Sequence, residues 1–306
     1  MSNVHFDAAH ADDERRARLY AGDLYVYGPT EATRRFRDFA KSMIEDYFDG
    51  RDPETAQYQM PVQDYADLLA KLKPAFIHHP DAKALIQAIL AERGCDLDAT
   101  FFEVPKMRSS TSDKYLTAGI AYAWHPHRDT WYSAPQCQIN WWMPIYEVTP
   151  DNCMAFHTQY WHRGVENSSA GYNYYEWNEK YRGTHITQYI NEDPRPLPAA
   201  TRTLDLDPDL RLVCPVGGLI LFSGAQLHSS VPNTSGKTRF SVDFRTAHAA
   251  DIRSGKGAPN VDSRCTGTVI HEFRRARDLS SVPRELAELL EDGTEARGRA
   301  TYSESA

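Results

Sequence analysis

From Thr100 to Thr246 the chain never holds one pattern long enough to build a large helix. It breaks into short stretches rich in β-branched and aromatic residues, at 100–105, 116–124, 136–148, 153–157, 211–213, 219–222, 226–231 and 239–246, with Pro, Gly, Asn and Asp between them. Many short strands with irregular connections must close on themselves or pack in two layers to bury their apolar faces. The reading is a mainly β fold with flanking helices, a sandwich or jelly roll rather than alternating β/α units. One more strand is expected at 266–273.

The first hundred residues follow a different period. Phe36, Phe39, Ala40, Met43, Ile44 and Phe48 fall at helical spacing, with Thr30 as a candidate N-cap and Gly50 as a stop. Two more helices are expected at 62–72 and 81–93, the second ended by Gly94, and a last one at 282–291. At 306 residues the length suits one large domain or two small ones, and the chain is read as a single domain. Its expected parts are a mostly helical segment at 1–97, a β core at 98–275 and a C-terminal helix with a loose tail at 276–306. Within the core, 157–200 is long, polar and rich in Tyr and Trp. A loop of that length inside a compact domain is expected to be a lid or binding segment, or else a surface insertion with structure of its own.

Composition removes several function classes. The net charge of −8 disfavours nucleic acid and anionic membrane as partners. No apolar run reaches the ~18 residues of a membrane span, and the N-terminus has no apolar signal-like core. Five scattered cysteines without a CxxC pair read as reduced thiols in a cytoplasmic protein, not as a zinc site.

Two short motifs carry the chemistry. His127-Arg-Asp129 follows a strand-like stretch, and His-x-Asp places an imidazole and a carboxylate on one side of an extended chain. About a hundred residues later His228 stands alone in a strand. Together the three make a two-His-one-carboxylate set, which suits Fe(II) because three coordination positions stay open. Eleven residues beyond His228, the stretch Arg239-Phe-Ser241-Val-Asp243-Phe-Arg245 alternates polar and apolar residues. An Arg and a hydroxyl two residues apart on such a strand can clamp a carboxylate. Gln138, Asn140 and Trp142 also alternate. With that face inward they reach cofactor or substrate, and Trp141, Met143 and Ile145 pack outward; the reverse orientation stays open.

HxD, the distal His and the RxS-type Arg resemble the Fe(II)/2-oxoglutarate-dependent oxygenases, and within them the phytanoyl-CoA hydroxylase-like family. The run from Gln138 to His157 is similar to that family too, although Phe156-His157-Thr-Gln replaces its usual PGSH-like element. The resemblance covers about 101–247. It implies a double-stranded β-helix (cupin-like jelly roll), with His127, Asp129 and His228 as iron ligands. It assigns 2-oxoglutarate to Arg239 and Ser241, and the strand alternation, with its face inward, adds Gln138 and Asn140 as further cofactor-binding candidates. Fe(II), 2-oxoglutarate and O2 are the implied cofactors, and succinate and CO2 the coproducts. Asp129 keeps the carboxylate ligand, which disfavours halogenation. Trp142, Tyr174, Tyr175, Trp177 and Arg245 are the candidate substrate contacts, for a small polar metabolite of specialised metabolism. His125 is a rival ligand or a neighbour of the site. Two other classes stay open: a cupin-like metalloenzyme that does not use 2-oxoglutarate, and a non-catalytic sugar-binding jelly roll.

Overall fold

The structure, a computed structural model, describes residues 2–121, 124–182 and 186–291. In chain order its strands are β1 (Val4–Phe6), β2 (Leu24–Tyr27), β3 (Thr100–Glu103), β4 (Lys106–Ser110), β5 (Ile139–Pro144), β6 (Met154–Phe156), β7 (Leu210–Leu212), β8 (Leu219–Ser223), β9 (His228–Ser230), β10 (Arg239–His248) and β11 (Phe273–Arg275). The helices are α1 (Asp12–Tyr20), α2 (Glu31–Phe48), α3 (Val62–His78), α4 (Pro80–Glu92), α5 (Tyr174–Tyr181), α6 (Ala249–Ser254) and α7 (Arg284–Ala287).

Eight strands form the major sheet in the order β1-β2-β8-β5-β10-β3-β11, with β4 also paired to β10; β7-β6-β9 form the minor one. Every pair is antiparallel except β1 with β2. The two layers make the double-stranded β-helix expected from the sequence. Side-chain alternation splits the core in two. Trp141, Met143, Phe240, Val242 and Phe244 pack outward with Phe36, Ile44 and Phe48 of α2 and Leu69 and Phe76 of α3. Trp142, Ile220 and Phe222 point inward with Met154, Phe156 and Leu212 of the minor sheet. The inward reading of the Trp142 face therefore holds, because a two-layer fold needs an apolar filling on both sides of β5.

α2 begins as expected: the Thr30 backbone N–H donates to Thr33 Oγ1 at 2.8 Å. It ends at Phe48, where Asp49 and Gly50 take positive φ of 49° and 79°. α3 runs past the expected end at 72, through Pro74, to His78.

Other expectations fail for identifiable reasons. The N-terminal part is mostly helical as expected, but two strands within it, β1 and β2, were not expected and join the major sheet through β8. A four-residue strand is too short to show a period against its helical surroundings. No strand forms over 116–121; the Thr117 and Ala118 N–H groups donate instead to the Ile190 carbonyl, and 122–123 lie outside the described residues. The place beside β10 goes to β4, whose Lys106 and Arg108 read as loop-like in sequence. At 266–273 a 3-10 turn (Val269–Glu272) precedes the short β11, and at 282–291 only α7 and one 3-10 turn form. The tail from 292 lies outside the described residues.

Candidate metal centre and its cavity

The turn between β8 and β9 seats the HxD arm. Asp129 N–H donates to the Gly224 carbonyl at 2.8 Å, and Gly224 N–H to the Gln138 carbonyl at 2.9 Å. A Cβ at Gly224 would lie 3.2 Å from Gln138 Nε2 and 3.5 Å from Asp129 Cβ, so a side chain there would press on the site. His127 and His228 exchange both backbone hydrogen bonds, at 2.9 and 3.0 Å, which adds the arm to the minor sheet as a further rung.

This pairing brings three ligand atoms together. His127, Asp129 and His228 are buried, and one donor atom from each lies within 4.8 Å of the others. Asp129 Oδ1 is 3.4 Å from His127 Nε2 and 3.8 Å from His228 Nε2. Each imidazole is oriented from behind: His127 Nδ1–H donates to the His125 carbonyl at 2.8 Å and His228 Nδ1–H to the Gln226 carbonyl at 2.9 Å. A carbonyl can only accept, so Nδ1 carries the hydrogen and Nε2 presents its lone pair. Two imidazole lone pairs and a carboxylate oxygen facing one point are the donor set for a divalent transition metal, and the residues fit Fe(II). His125 is exposed, and its carbonyl accepts the His127 Nδ1–H.

The second oxygen of Asp129 is held separately. Oδ2 accepts from Asn140 Nδ2 at 2.8 Å, Gln138 Nε2 at 3.0 Å and Arg245 Nε at 3.3 Å. Gln138 and Asn140, expected beside the cosubstrate, thus hold the metal carboxylate. Arg245, expected at the substrate, also pairs with Glu103 at 2.7 Å and Asp243 at 3.4 Å. Burial disfavours ionised Asp129, but Arg245 and then the imidazoles outweigh it, and the carboxyl sits well below its usual range. Burial, reinforced by the neighbouring His127, pushes His228 down to about 3, which keeps it available as a neutral ligand.

These residues line a cavity of about 540 Å³. Arg239 lines it as well, deeply buried, and burial lowers its guanidinium to about 10. Its NH1 donates to the Asn152 carbonyl at 2.9 Å and its NH2 to Ser230 Oγ at 3.1 Å. Arg239 Nε has no hydrogen-bond partner among the described residues. Neither do the buried hydroxyls of Ser241, two residues along β10, and Ser110, its cross-strand partner. A buried cation with orphaned donors around it fits a ligand carboxylate. Trp142 faces the same guanidinium, 5.7 Å from ring centroid to Cζ.

The 157–200 segment supplies another wall. α5 is capped by Asn173, whose Oδ1 accepts from the Tyr175 and Glu176 N–H groups, both at 3.0 Å. Tyr174, Trp177, Asn178 and Tyr181 line the cavity, as does Tyr172 just ahead of the helix. Tyr175 is the exception: its ring packs on Gly267 and its hydroxyl donates to Glu291 at 2.9 Å, so it faces the chain's end, not the cavity. The i, i+3, i+4, i+7 spacing of the lining residues is the signal that separates them from Tyr175. Lys106, Arg108, Glu103, Tyr132 and Glu272 line the cavity too and were not anticipated from sequence.

The root of this wall is tied to the metal arm. Arg128, between the two HxD ligands, is only 1% exposed. It pairs with Asp262 at 2.9 Å and donates to the carbonyls of Ala225 at 2.5 Å, Tyr160 at 2.6 Å and Arg163 at 3.1 Å. Asp262 also accepts from Trp131 Nε1 at 2.8 Å and the Val165 N–H at 2.9 Å.

Comparison with known proteins places this arrangement. The family model described as phytanoyl-CoA dioxygenase matches residues 22–241. No curated protein matches the chain. Among solved structures, a non-haem alpha-ketoglutarate-dependent carbocyclase from nogalamycin biosynthesis (SnoK) is 13% identical, with 77% of this chain and 84% of that one covered at a TM-score of 0.42. A non-haem monooxygenase (ThoJ, apo) is 13% identical, with 76% and 77% covered at 0.41. EvdO2 from Micromonospora carbonacea var. aurantiaca, complexed with 2-oxoglutarate, is 16% identical, with 57% and 63% covered at 0.36.

Proposed function

The chain belongs to the phytanoyl-CoA dioxygenase family, and from that premise we propose that it hydroxylates a small polar metabolite of specialised metabolism. Enzymes of this family are non-haem oxygenases that use Fe(II), 2-oxoglutarate and O2. Oxidising power comes from those three together, with succinate and CO2 released and one oxygen atom delivered to the substrate.

The chain's own residues do the rest. His127 and His228 offer Nε2, fixed in direction by their Nδ1–H bonds to backbone carbonyls. Asp129 offers Oδ1 while Gln138, Asn140 and Arg245 engage Oδ2, which favours a single-oxygen contact and leaves room for other ligands. Arg239 receives the far carboxylate of 2-oxoglutarate, with Ser241 close by on the same strand face. The aromatic wall of the 157–200 segment holds the substrate and keeps bulk water out.

The observation that carries this reading is that the cavity holding the two-His-one-carboxylate set is also lined by a buried Arg engaged by carbonyls and a hydroxyl but, among the described residues, by no carboxylate. An ordinary structural arginine at that depth would be ion-paired. The test is succinate formation from 2-oxoglutarate by purified protein with Fe(II) under air. The reading expects succinate from the wild type and none from Asp129→Asn; succinate-free protein that still binds iron would overturn it.

A further inference from the structure

We infer that the substrate is an uncharged ring-bearing molecule that lies flat on the aromatic wall, and that this cavity rejects anionic substrates such as coenzyme A thioesters. The inference names the substrate class for the function proposed above and rests on it.

The first argument is charge. Six cationic side chains line the cavity, and five of them already face a carboxylate. Lys106 pairs with Glu103, Arg108 with Asp243 at 2.8 Å, Arg182 with Glu272, Arg195 with Asp193, and Arg245 with Glu103 and Asp129. Arg195 is held on both sides, its Nε 2.8 and 3.1 Å from the two Asp193 oxygens. Among the described residues Arg239 alone has no carboxylate, and 2-oxoglutarate satisfies it. Each lining carboxylate is matched in the same way. A charged substrate group would have to break one of these pairs or lose water without gaining a counter-ion. A neutral molecule meets no such barrier.

The second argument is shape. An unbroken chain of ring contacts starts at the metal ligand His127 and runs along the cavity. Ring centroids lie 5.4 Å apart for His127 and Trp124, 6.3 Å for Trp124 and Tyr132, and 5.8 Å for Tyr132 and Tyr172. The series continues at 6.3 Å from Tyr172 to Trp177 and 6.4 Å from Trp177 to Tyr181. All six side chains line the cavity. Such a surface recognises planar rings and the apolar faces of sugar rings by dispersion and edge-to-face contact. One directional group sits on it: the Trp177 Nε1–H is enclosed and has no acceptor among the described residues. It can donate to a hydroxyl, ether or carbonyl oxygen of a neutral ligand. A volume of about 540 Å³ accommodates more than one ring.

The experiment uses the full chain loaded with Ni(II) in place of Fe(II), so that nothing turns over, and reads binding by calorimetry. 2-Oxoglutarate is titrated first; failure to bind would sink the oxygenase reading itself. With 2-oxoglutarate bound, three probes follow: 4-nitrophenyl β-glucoside, 4-nitrophenyl β-glucuronide, which differs by one carboxylate, and acetyl-coenzyme A. The expected result is glucoside binding at least tenfold tighter than either anion. Trp177→Phe, which keeps a ring but loses the N–H, should weaken the glucoside roughly two- to tenfold, the value of one hydrogen bond. Equal or tighter binding of the glucuronide or the thioester, or no measurable glucoside binding once 2-oxoglutarate has bound, would overturn the inference.

Discussion

Arg245 Nε lies 3.3 Å from Asp129 Oδ2, on the side of the carboxylate away from the two imidazoles. The contact joins the long β10 strand, which also carries Arg239, to the HxD arm. Arg245 is anchored in turn by Glu103 at 2.7 Å, so the carboxylate is braced by a cation that cannot swing away. Outer partners of this sort tune ligand direction, and their loss typically weakens metal binding 10–100-fold. Arg245→Gln should therefore raise the Ni(II) or Co(II) dissociation constant by at least about tenfold, with a changed Co(II) absorption spectrum as Asp129 turns. An unaltered spectrum and affinity would reduce Arg245 to a packing role.

Arg239→Lys keeps the charge and loses the forked geometry. Charge-assisted hydrogen bonds contribute about 1.5–3 kcal/mol, so the dissociation constant of 2-oxoglutarate should rise about 10–100-fold while that of the metal changes much less. Fluorescence titration of each ligand separates the two effects. Equal weakening of both would move the cosubstrate contact elsewhere.

Metal loading should stabilise the fold. A ligand that binds only the native state at a hundred times its dissociation constant adds about 2.7 kcal/mol. Ni(II) should raise Tm, a chelator should reverse the rise, and Asp129→Asn should abolish it. In a loaded structure the His127, Asp129 and His228 donor atoms should lie about 2.0–2.2 Å from one ion.

The two faces of α5 should respond differently to truncation. Trp177→Ala opens the cavity wall, and the ratio of substrate oxidised to 2-oxoglutarate consumed should fall about tenfold. Tyr175→Ala removes a buried ring that packs away from the cavity, so it should cost about 3 kcal/mol of stability, by analogy with other aromatic truncations. Thermal unfolding and coupling measurements on both variants distinguish the cases; a large coupling loss in Tyr175→Ala would contradict the assignment of faces.

Arg128→Ala should destabilise by about 3–5 kcal/mol, since it leaves Asp262 buried without its cation. Arg128→Ala combined with Asp262→Ala should recover part of that loss. Denaturant unfolding of the single and double variants supplies the cycle.

How far the sequence reveals this site follows from what each part needs. A metal ligand must be His, Asp or a similar donor, so His127, Asp129 and His228 can be picked out as candidates by residue type and order, and the fold brings them together. Arg239 is readable because the alternation in β10 puts it on a polar face. The alternation in β10 also puts Asp243 and Arg245 on one face, where an ion pair can be read, but Glu103 cannot be, because it comes from β3 and meets Arg245 only through strand pairing. Gln138 and Asn140 lie on the inward face as the alternation allows, yet which ligand they touch depends on where the HxD arm folds back. β4 escapes because charged residues line one of its faces, where polarity mimics a loop. In 157–200 the aromatic content is plain, but the helix that sorts Trp177 from Tyr175 is only eight residues long and its start depends on Asn173.

The knot around Arg128 has a consequence for how such a scaffold can diversify. It fixes the stretch from Tyr160 to Val165 and the segment at Asp262 to the arm that bears the metal ligands, while α5 projects beyond those fastenings. Tyr172, which packs on Tyr132 beside His127, belongs to the fastened part, whereas Trp177, Asn178 and Tyr181 reach the cavity from further along the helix. Substitutions at these three positions would recontour the far wall of the cavity while the fastened arm keeps Asp129 and the two imidazoles in register.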